Sequence, residues 1–229
     1  MKLIRFFSEN NPLGLGKPVP AKTRIPEWYR LAESTYTDSE GNVMAGLKKC
    51  MPYMDSLVSG YMLTLPVDIY VTRNEDGTAN FRWNGPDSFS SFVNQRPDES
   101  GATMPRPAGH DNAHLIWSGM WNIKTPRGWS VLVSHPFNRF DLPFTTVTAL
   151  MDSDEMWSAG NIPFFIKSDF TGVIPQGTPI AQLLPIKRAS WKMVGNDFAQ
   201  KGEAKQLSAI VRSDDTPYKK IMWHRKKYD

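Results

Sequence analysis

The sequence predicts a mainly β protein, and three observations lead there. From residue 125 to 188 four apolar runs follow one another, TPRGWSVLVSHP, TTVTALMDSD, NIPFFIKSD and GVIPQGTPIAQLLPIKR, each parted from the next by turn-forming residues. Short strands at near-regular spacing, with no helical period between them, read as a compact antiparallel β domain. Upstream, residues 61–71 alternate in polarity, Asn74-Glu75-Asp76-Gly77 makes a turn, and residues 79–83 return as the second limb of a hairpin. Composition agrees, since eight Trp and eighteen Pro suit a loop-rich β protein with large anchoring side chains better than a helical bundle.

In chain order, residues 1–49 read as an N-terminal arm. Lys2-Leu3-Ile4-Arg5-Phe6-Phe7 can form one strand, after which Pro12, Pro18, Pro20 and Pro26 bar regular structure. Ile25-Pro26-Glu27-Trp28-Tyr29-Arg30 starts a short helical turn with Pro in its first turn, and the Trp28–Tyr29 pair packs the arm onto the body. The core domain spans residues 50–190. Its first part, residues 50–71, reads as two β runs around Gly60, the second broken or bulged at Pro66. Residues 84–112 form a long polar loop, and residues 115–124 resume as a Trp-rich strand. The remainder, residues 191–229, is a partly helical basic segment: Phe198, Leu207, Ile210 and Val211 give a helical pattern, and Asp215-Thr216-Pro217 looks like a helix start. No internal repeat or low-complexity tract is present.

At 229 residues, 40% hydrophobic and 22% charged, the chain has the balance of a soluble globular protein with a sizeable core. The net charge of +4 comes mostly from Lys219, Lys220, Arg225, Lys226 and Lys227, which read as a solvated basic end rather than a nucleic-acid site. The single cysteine, Cys50, allows no intrachain disulfide and suits a reducing compartment. The N-terminal apolar run is too short for a signal peptide, and no run approaches a bilayer span, so the expectation is a cytoplasmic protein at synthesis with no membrane partner.

Three sequence motifs resemble those of one family. Pro126-Arg127-Gly128 resembles the P-x-G element of the dUTPases, Ala149-Leu150-Met151-Asp152-Ser153-Asp154 their G-V-I-D-x-D motif, and Gly177-Thr178-Pro179-Ile180-Ala181-Gln182-Leu183 their closing G-D-R-I-A-Q-L run. On these residues the core resembles the β-clip of the dUTPase and dCTP deaminase families. The resemblance implies a distorted jelly-roll barrel with an N-terminal arm and a short helical C-terminus. It implies a homotrimer as well. If the chain is an enzyme of that kind, Asp152 places the water and magnesium accompanies the nucleotide.

Three departures point away from that activity. Ser134-His135-Pro136 stands where the family grips phosphate with R-S-S, Glu155 stands where a tyrosine supports the sugar, and the glycine-rich, arginine-bearing closing arm is missing. A water-orienting carboxylate and a phosphate grip must act together, because positioning supplies most of the rate. Nearly the whole chain also resembles an uncharacterised family of tailed phages and some bacteria. The shared pieces are Ile25-Pro26-Glu27-Trp28-Tyr29, Lys49-Cys50-Met51-Pro52, Ser59-Gly60-Tyr61, Thr125-Pro126-Arg127-Gly128, His135-Pro136-Phe137-Asn138-Arg139 and Gly177-Thr178-Pro179-Ile180. That resemblance implies a phage or bacterial setting and assigns no reaction. The expectation is a non-enzymatic phage-type β-clip protein, a virion component such as a capsid or head accessory, or another protein-binding component. The alternative is a divergent dUTPase-like nucleotide-binding protein or nucleotide pyrophosphatase.

The residues with chemistry are few. His135, Asn138, Arg139 and Gln182 are the ligand-binding candidates, with Arg139 able to hold either a phosphate or Asp141. Asp152 and Asp154 are either a water-orienting pair or a turn whose carboxylates accept backbone N–H groups. His110 and His114, four residues apart, are weak metal candidates that His135 would have to complete, and no cofactor is expected. Cys50 reads as a buried or inert thiol, and Trp117, Trp121, Trp129, Trp157 and Trp191 as core or subunit interface rather than base-stacking platforms. If the motif match is real, Gly177 adopts a conformation that a β-carbon opposes, residues 180–183 form an inner strand, and a buried Gln182 bonds main-chain groups.

Overall fold

The computed structural model describes residues 2–9, 11, 13–85, 91–97, 99–101, 103–158, 160–193, 195 and 218–229. The chain begins with strand β1 (Arg5–Phe7) and the two-residue β2 (Val19–Pro20), then a 3-10 turn over Ala21–Arg24. Helix α1 (Glu27–Leu31) follows as the sequence expects, with Pro26 at its N-cap rather than inside its first turn. Its Tyr29 is buried and stacks on Tyr53 at 6.0 Å. Next come a small antiparallel hairpin, β3 (Thr35–Thr37) with β4 (Val43–Ala45), and helix α2 (Met51–Val58).

Helix α2 corrects the sequence reading, which took residues 50–58 as a β run. Pro52 sits in its first turn, Met and Leu are good helix formers, and its first seven residues include none that is β-branched. The helix stops at Gly60, whose φ is +74°. A Cβ there would stand 2.1 Å from the Leu183 carbonyl oxygen, so only glycine fits.

Beyond α2 the structure is antiparallel β. β5 (Tyr61–Thr64) and β6 (Ile69–Arg73) are separated at Pro66, and β6 pairs with β7 (Ala79–Arg82) in the expected hairpin. The long polar loop contains a strand, β8 (Val93–Gln95), which pairs with β9 (Leu115–Ser118). Residues 115–124 are two strands rather than one, because the chain leaves the sheet after β9 and β10 (Asn122–Lys124) pairs with β1 instead. Then follow β11 (Trp129–Ser134), β12 (Phe144–Thr146), β13 (Ala149–Met151), β14 (Asn161–Ile166), β15 (Gly172–Ile174) and β16 (Pro179–Lys187).

A five-stranded sheet runs β13-β11-β16-β5-β2, a four-stranded sheet β12-β14-β9-β8, and a three-stranded sheet β15-β6-β7. The outer strands of these sheets do not pair with one another, so the described residues form no closed barrel, and the jelly-roll barrel expectation is corrected to a set of open antiparallel sheets. One apolar cluster joins all three sheets: Val131, Val133, Ala181 and Leu183 from the first, Leu115, Trp117, Phe144 and Phe164 from the second, Ile69 and Ile174 from the third. At its centre Trp117 lies flat on Phe164, 3.8 Å away and 5° from parallel.

The expected helical pattern over residues 198–211 and the helix start at residues 215–217 lie outside the described residues. Residues Tyr218–Met222 make a single π-helical turn, and the basic end beyond it is docked, not simply solvated. Trp223 Nε1 and Lys226 Nζ both donate to Asp55 Oδ2 on α2, at 2.9 and 2.5 Å, and Tyr228 packs edge-on against Tyr61. Lys226 is held more firmly protonated by its hydrogen bond to Asp55. Among the described residues no helix is long and apolar enough to cross a membrane.

Candidate functional site

The β11–β12 connection carries His135, Asn138 and Arg139, and it meets Gln182 of β16 through the Phe137 N–H and helix α2 through Asn138. In β16 the strand period sends Ala181 and Leu183 into the apolar cluster and turns Gln182 to the other face, opposite Ser134 of β11. That face is covered by the C-terminal half of α2 and by the loop after His135. Gln182 is 0% exposed. Its Oε1 accepts the Phe137 N–H at 2.9 Å, and its Nε2 donates to the carbonyls of Ser56 at 2.9 Å and Ser59 at 2.7 Å. The amide is therefore saturated by main chain and ties strand, helix and loop into one unit. The Gly177 turn before it has φ +81°.

The other members of this seam are similarly engaged. Asn138 is the only non-glycine with positive φ among the described residues, at 59°, a conformation Asn tolerates better than most. Its side-chain amide donates to Ser56 Oγ at 2.8 Å, and that hydroxyl donates to the Tyr53 carbonyl at 2.6 Å. His135 Nδ1 accepts the Thr146 N–H at 3.2 Å, which leaves the proton on Nε2 to bond the Arg139 carbonyl at 3.0 Å. Burial pushes the His135 pKa below its ordinary value, in keeping with this neutral ring. Arg139 clasps Asp141 through Nε and Nη2, both at 2.8 Å. Burial alone would raise the Asp141 pKa; the Arg139 hydrogen bonds and charge outweigh it and hold the carboxyl below its ordinary range. Phe140, between the two, is 81% exposed.

The acidic turn forms a second cluster about Arg188, a residue the sequence reading did not single out. Asp152 Oδ1 accepts the Ser130 hydroxyl at 2.6 Å and lies 3.2 Å from Arg188 Nη1. Asp154 faces Arg188 at 2.5 Å and accepts the Gly128 N–H at 2.7 Å, with its side chain only 2% exposed. The Arg188 hydrogen bond is the main reason its pKa falls to about 2. Beneath them Ser153 and Thr125 share a buried hydroxyl–hydroxyl bond of 2.8 Å. The arrangement fastens the β13 corner to the end of β16. Asp152 remains more than half exposed beside its guanidinium partner.

The histidines do not converge. His110 bonds the Thr145 hydroxyl through Nε2 at 3.0 Å, whereas His114 bonds the Ser100 carbonyl through Nδ1 at 3.0 Å and stacks on Phe165. They lie in the approach to β9, not on a strand, so the shared-face argument does not apply. Among the described residues no group of three His, Cys, Asp or Glu is placed to hold a metal ion. Cys50 is exposed, which corrects the buried half of its reading as a buried or inert thiol. Trp117 and Trp121 are core, while Trp191 is almost fully exposed.

Next to Arg139 lies a cleft of about 490 Å³ bordered by Lys22, Arg24, Arg30 and Arg139 over Pro26 and Pro179. These residues come from the 3-10 turn, α1, the seam loop and the start of β16, a convergence that only the tertiary fold creates. Comparison with protein-family models, curated proteins and solved structures finds no match to this chain.

Proposed function

We propose that this chain is a non-enzymatic binding protein of the phage type, a virion head accessory built on a β-clip-like core and assembled as a homotrimer. The observation that carries the non-enzymatic reading is the commitment of its candidate groups. Gln182 is saturated by three main-chain bonds, Arg139 is clasped by Asp141, and Asp152 leans on Ser130 and Arg188. Each is employed in holding the fold, where a pyrophosphatase would need them directed at water and polyphosphate. In favour of the β-clip stand the positive-φ turn at Gly177 and the covered Gln182 on an inner strand. In favour of assembly stands the β3–β4 hairpin, a two-stranded unit of marginal stability alone, with Tyr36, Val43 and Met44 exposed. The phage setting comes from the motif resemblance.

One experiment addresses both parts. The purified protein is sized by light scattering at micromolar concentration and incubated with each deoxynucleoside triphosphate and magnesium. The expected outcome is a trimer mass and no pyrophosphate release. A monodisperse monomer removes the trimer. Pyrophosphate release that Asp152→Asn abolishes replaces the binding-protein reading with a divergent pyrophosphatase.

A further inference from the structure

The cleft bordered by Lys22, Arg24, Arg30 and Arg139 has no carboxylate among its lining residues. Four cations drawn to one cleft raise its positive potential and favour an anion there. Two of them are neutralised from outside the cleft: Arg139 by Asp141 and Lys22 by Asp229. The Lys22–Asp229 pair is half or more exposed on both sides, the kind that contributes little and exchanges readily. Arg139 spends Nε and Nη2 on Asp141 and keeps Nη1. Arg24 and Arg30 have no side-chain acceptor among the described residues, and neither guanidinium is folded back onto a main-chain carbonyl.

The floor is rigid, with Pro26 buried at the α1 N-cap and Pro179 at the start of β16. No aromatic ring lines the cleft, so a base or other flat apolar group has nothing to stack on. Its volume falls in the range of small-ligand sites. Planar guanidinium groups that converge without an acid are suited to oxyanions, and to phosphoryl groups above all.

We propose that this cleft binds phosphoryl groups, with Arg24 and Arg30 as the principal contacts and Lys22 and the free Nη1 of Arg139 at its sides. The proposal deepens the binding-protein reading by naming a ligand class, and it rests on that reading only in taking the phosphoryl group to be held rather than cleaved. The shared chemistry is a phosphate oxyanion; its source is either a free phosphorylated metabolite or a nucleic-acid backbone.

The test is calorimetric titration of the intact protein with inorganic pyrophosphate at low salt, and in parallel with a short oligothymidylate. The Arg24→Ala/Arg30→Ala double variant is compared with Arg82→Ala, a cation on β7 away from the cleft. Both Arg24 and Arg30 are exposed, so their removal leaves the fold intact, which the melting temperature verifies. Losing charge-assisted bonds is expected to weaken pyrophosphate binding by about ten- to a hundredfold in the double variant and not in Arg82→Ala. Binding is also expected to weaken as salt rises. Tighter binding of the oligonucleotide, displaced by pyrophosphate, assigns the site to a nucleic-acid backbone; binding of pyrophosphate alone assigns it to a metabolite. No binding of either probe, or binding that the double variant leaves unchanged, overturns the proposal while leaving the non-enzymatic reading intact. Cleavage of bound pyrophosphate to orthophosphate would do the reverse.

Discussion

Replacing Gln182 with Leu is the most searching test of how this fold is held together. The side chains are close in volume, so the change isolates polarity from packing. It strips partners from one main-chain N–H, that of Phe137, and two carbonyls, those of Ser56 and Ser59. A buried group without a partner costs about 1–3 kcal/mol. The Ser59 bond is fully buried and the other two partly so, which puts the sum near 4 kcal/mol. Burying leucine instead of an amide returns roughly 1 kcal/mol, leaving a net loss of about 3 kcal/mol. For a domain of this size that is a fall in Tm of roughly 6–12 °C. The assay is calorimetric or fluorescence-detected melting, supported by urea unfolding with an unchanged m-value. If Gln182→Leu melts within about 2 °C of the parent, the amide is not the tie between strand, helix and loop, and the β-clip argument built on it fails.

Three more outcomes follow from the geometry. The Asp154 pKa is lowered from 3.8 to about 2 by Arg188, so its stabilising contribution is complete above the unfolded value and lost as the pH falls toward 2; Asp154→Asn is expected to flatten the acid limb of a stability–pH profile, and an unchanged limb refutes this. The His135 pKa is lowered by burial, so the unfolded chain takes up the proton first and stability drops as the pH falls below about 6.5. His135→Gln is expected to remove that slope, read as Tm against pH. Asp55→Ala removes the shared acceptor of Trp223 and Lys226, and limited trypsin digestion followed by mass spectrometry is expected to release the last residues faster than in the parent; equal rates would mean the tail is held by Tyr228 and Asp229 instead.

The parts legible in the sequence are those whose cause is local. The β6–β7 hairpin follows from alternation and from Asn74 and Gly77, and the break at Pro66 follows from proline chemistry. The burial of Gln182 follows from strand period within an apolar run. Helix α2 was legible but misread: Pro52 at its start, Ser59-Gly60 at its end and helix-forming Met and Leu between them outweigh its apolar look. Strand β8 gives little local signal, since Phe92 and Val93 are a single apolar pair in a polar stretch and become strand and core by pairing with β9. The partners of Gln182 lie 45, 126 and 123 residues away, and no sequence pattern links them. The basic cleft has no sequence signal for the same reason, because Arg139 lies more than a hundred residues from Arg24 and Arg30 and joins them only in the folded chain.

The docking of the tail on α2 has a consequence for how the molecule matures. Asp55 is nearly buried, yet the two groups that neutralise and bond it lie 168 and 171 residues further along the chain. During synthesis at about 5–20 residues per second, α2 and the first strands emerge many seconds before Trp223 and Lys226 exist. Until then water alone can serve the Asp55 carboxylate. The contacts of Trp223 and Lys226 with Asp55 are therefore among the last that α2 gains, set by chain order alone.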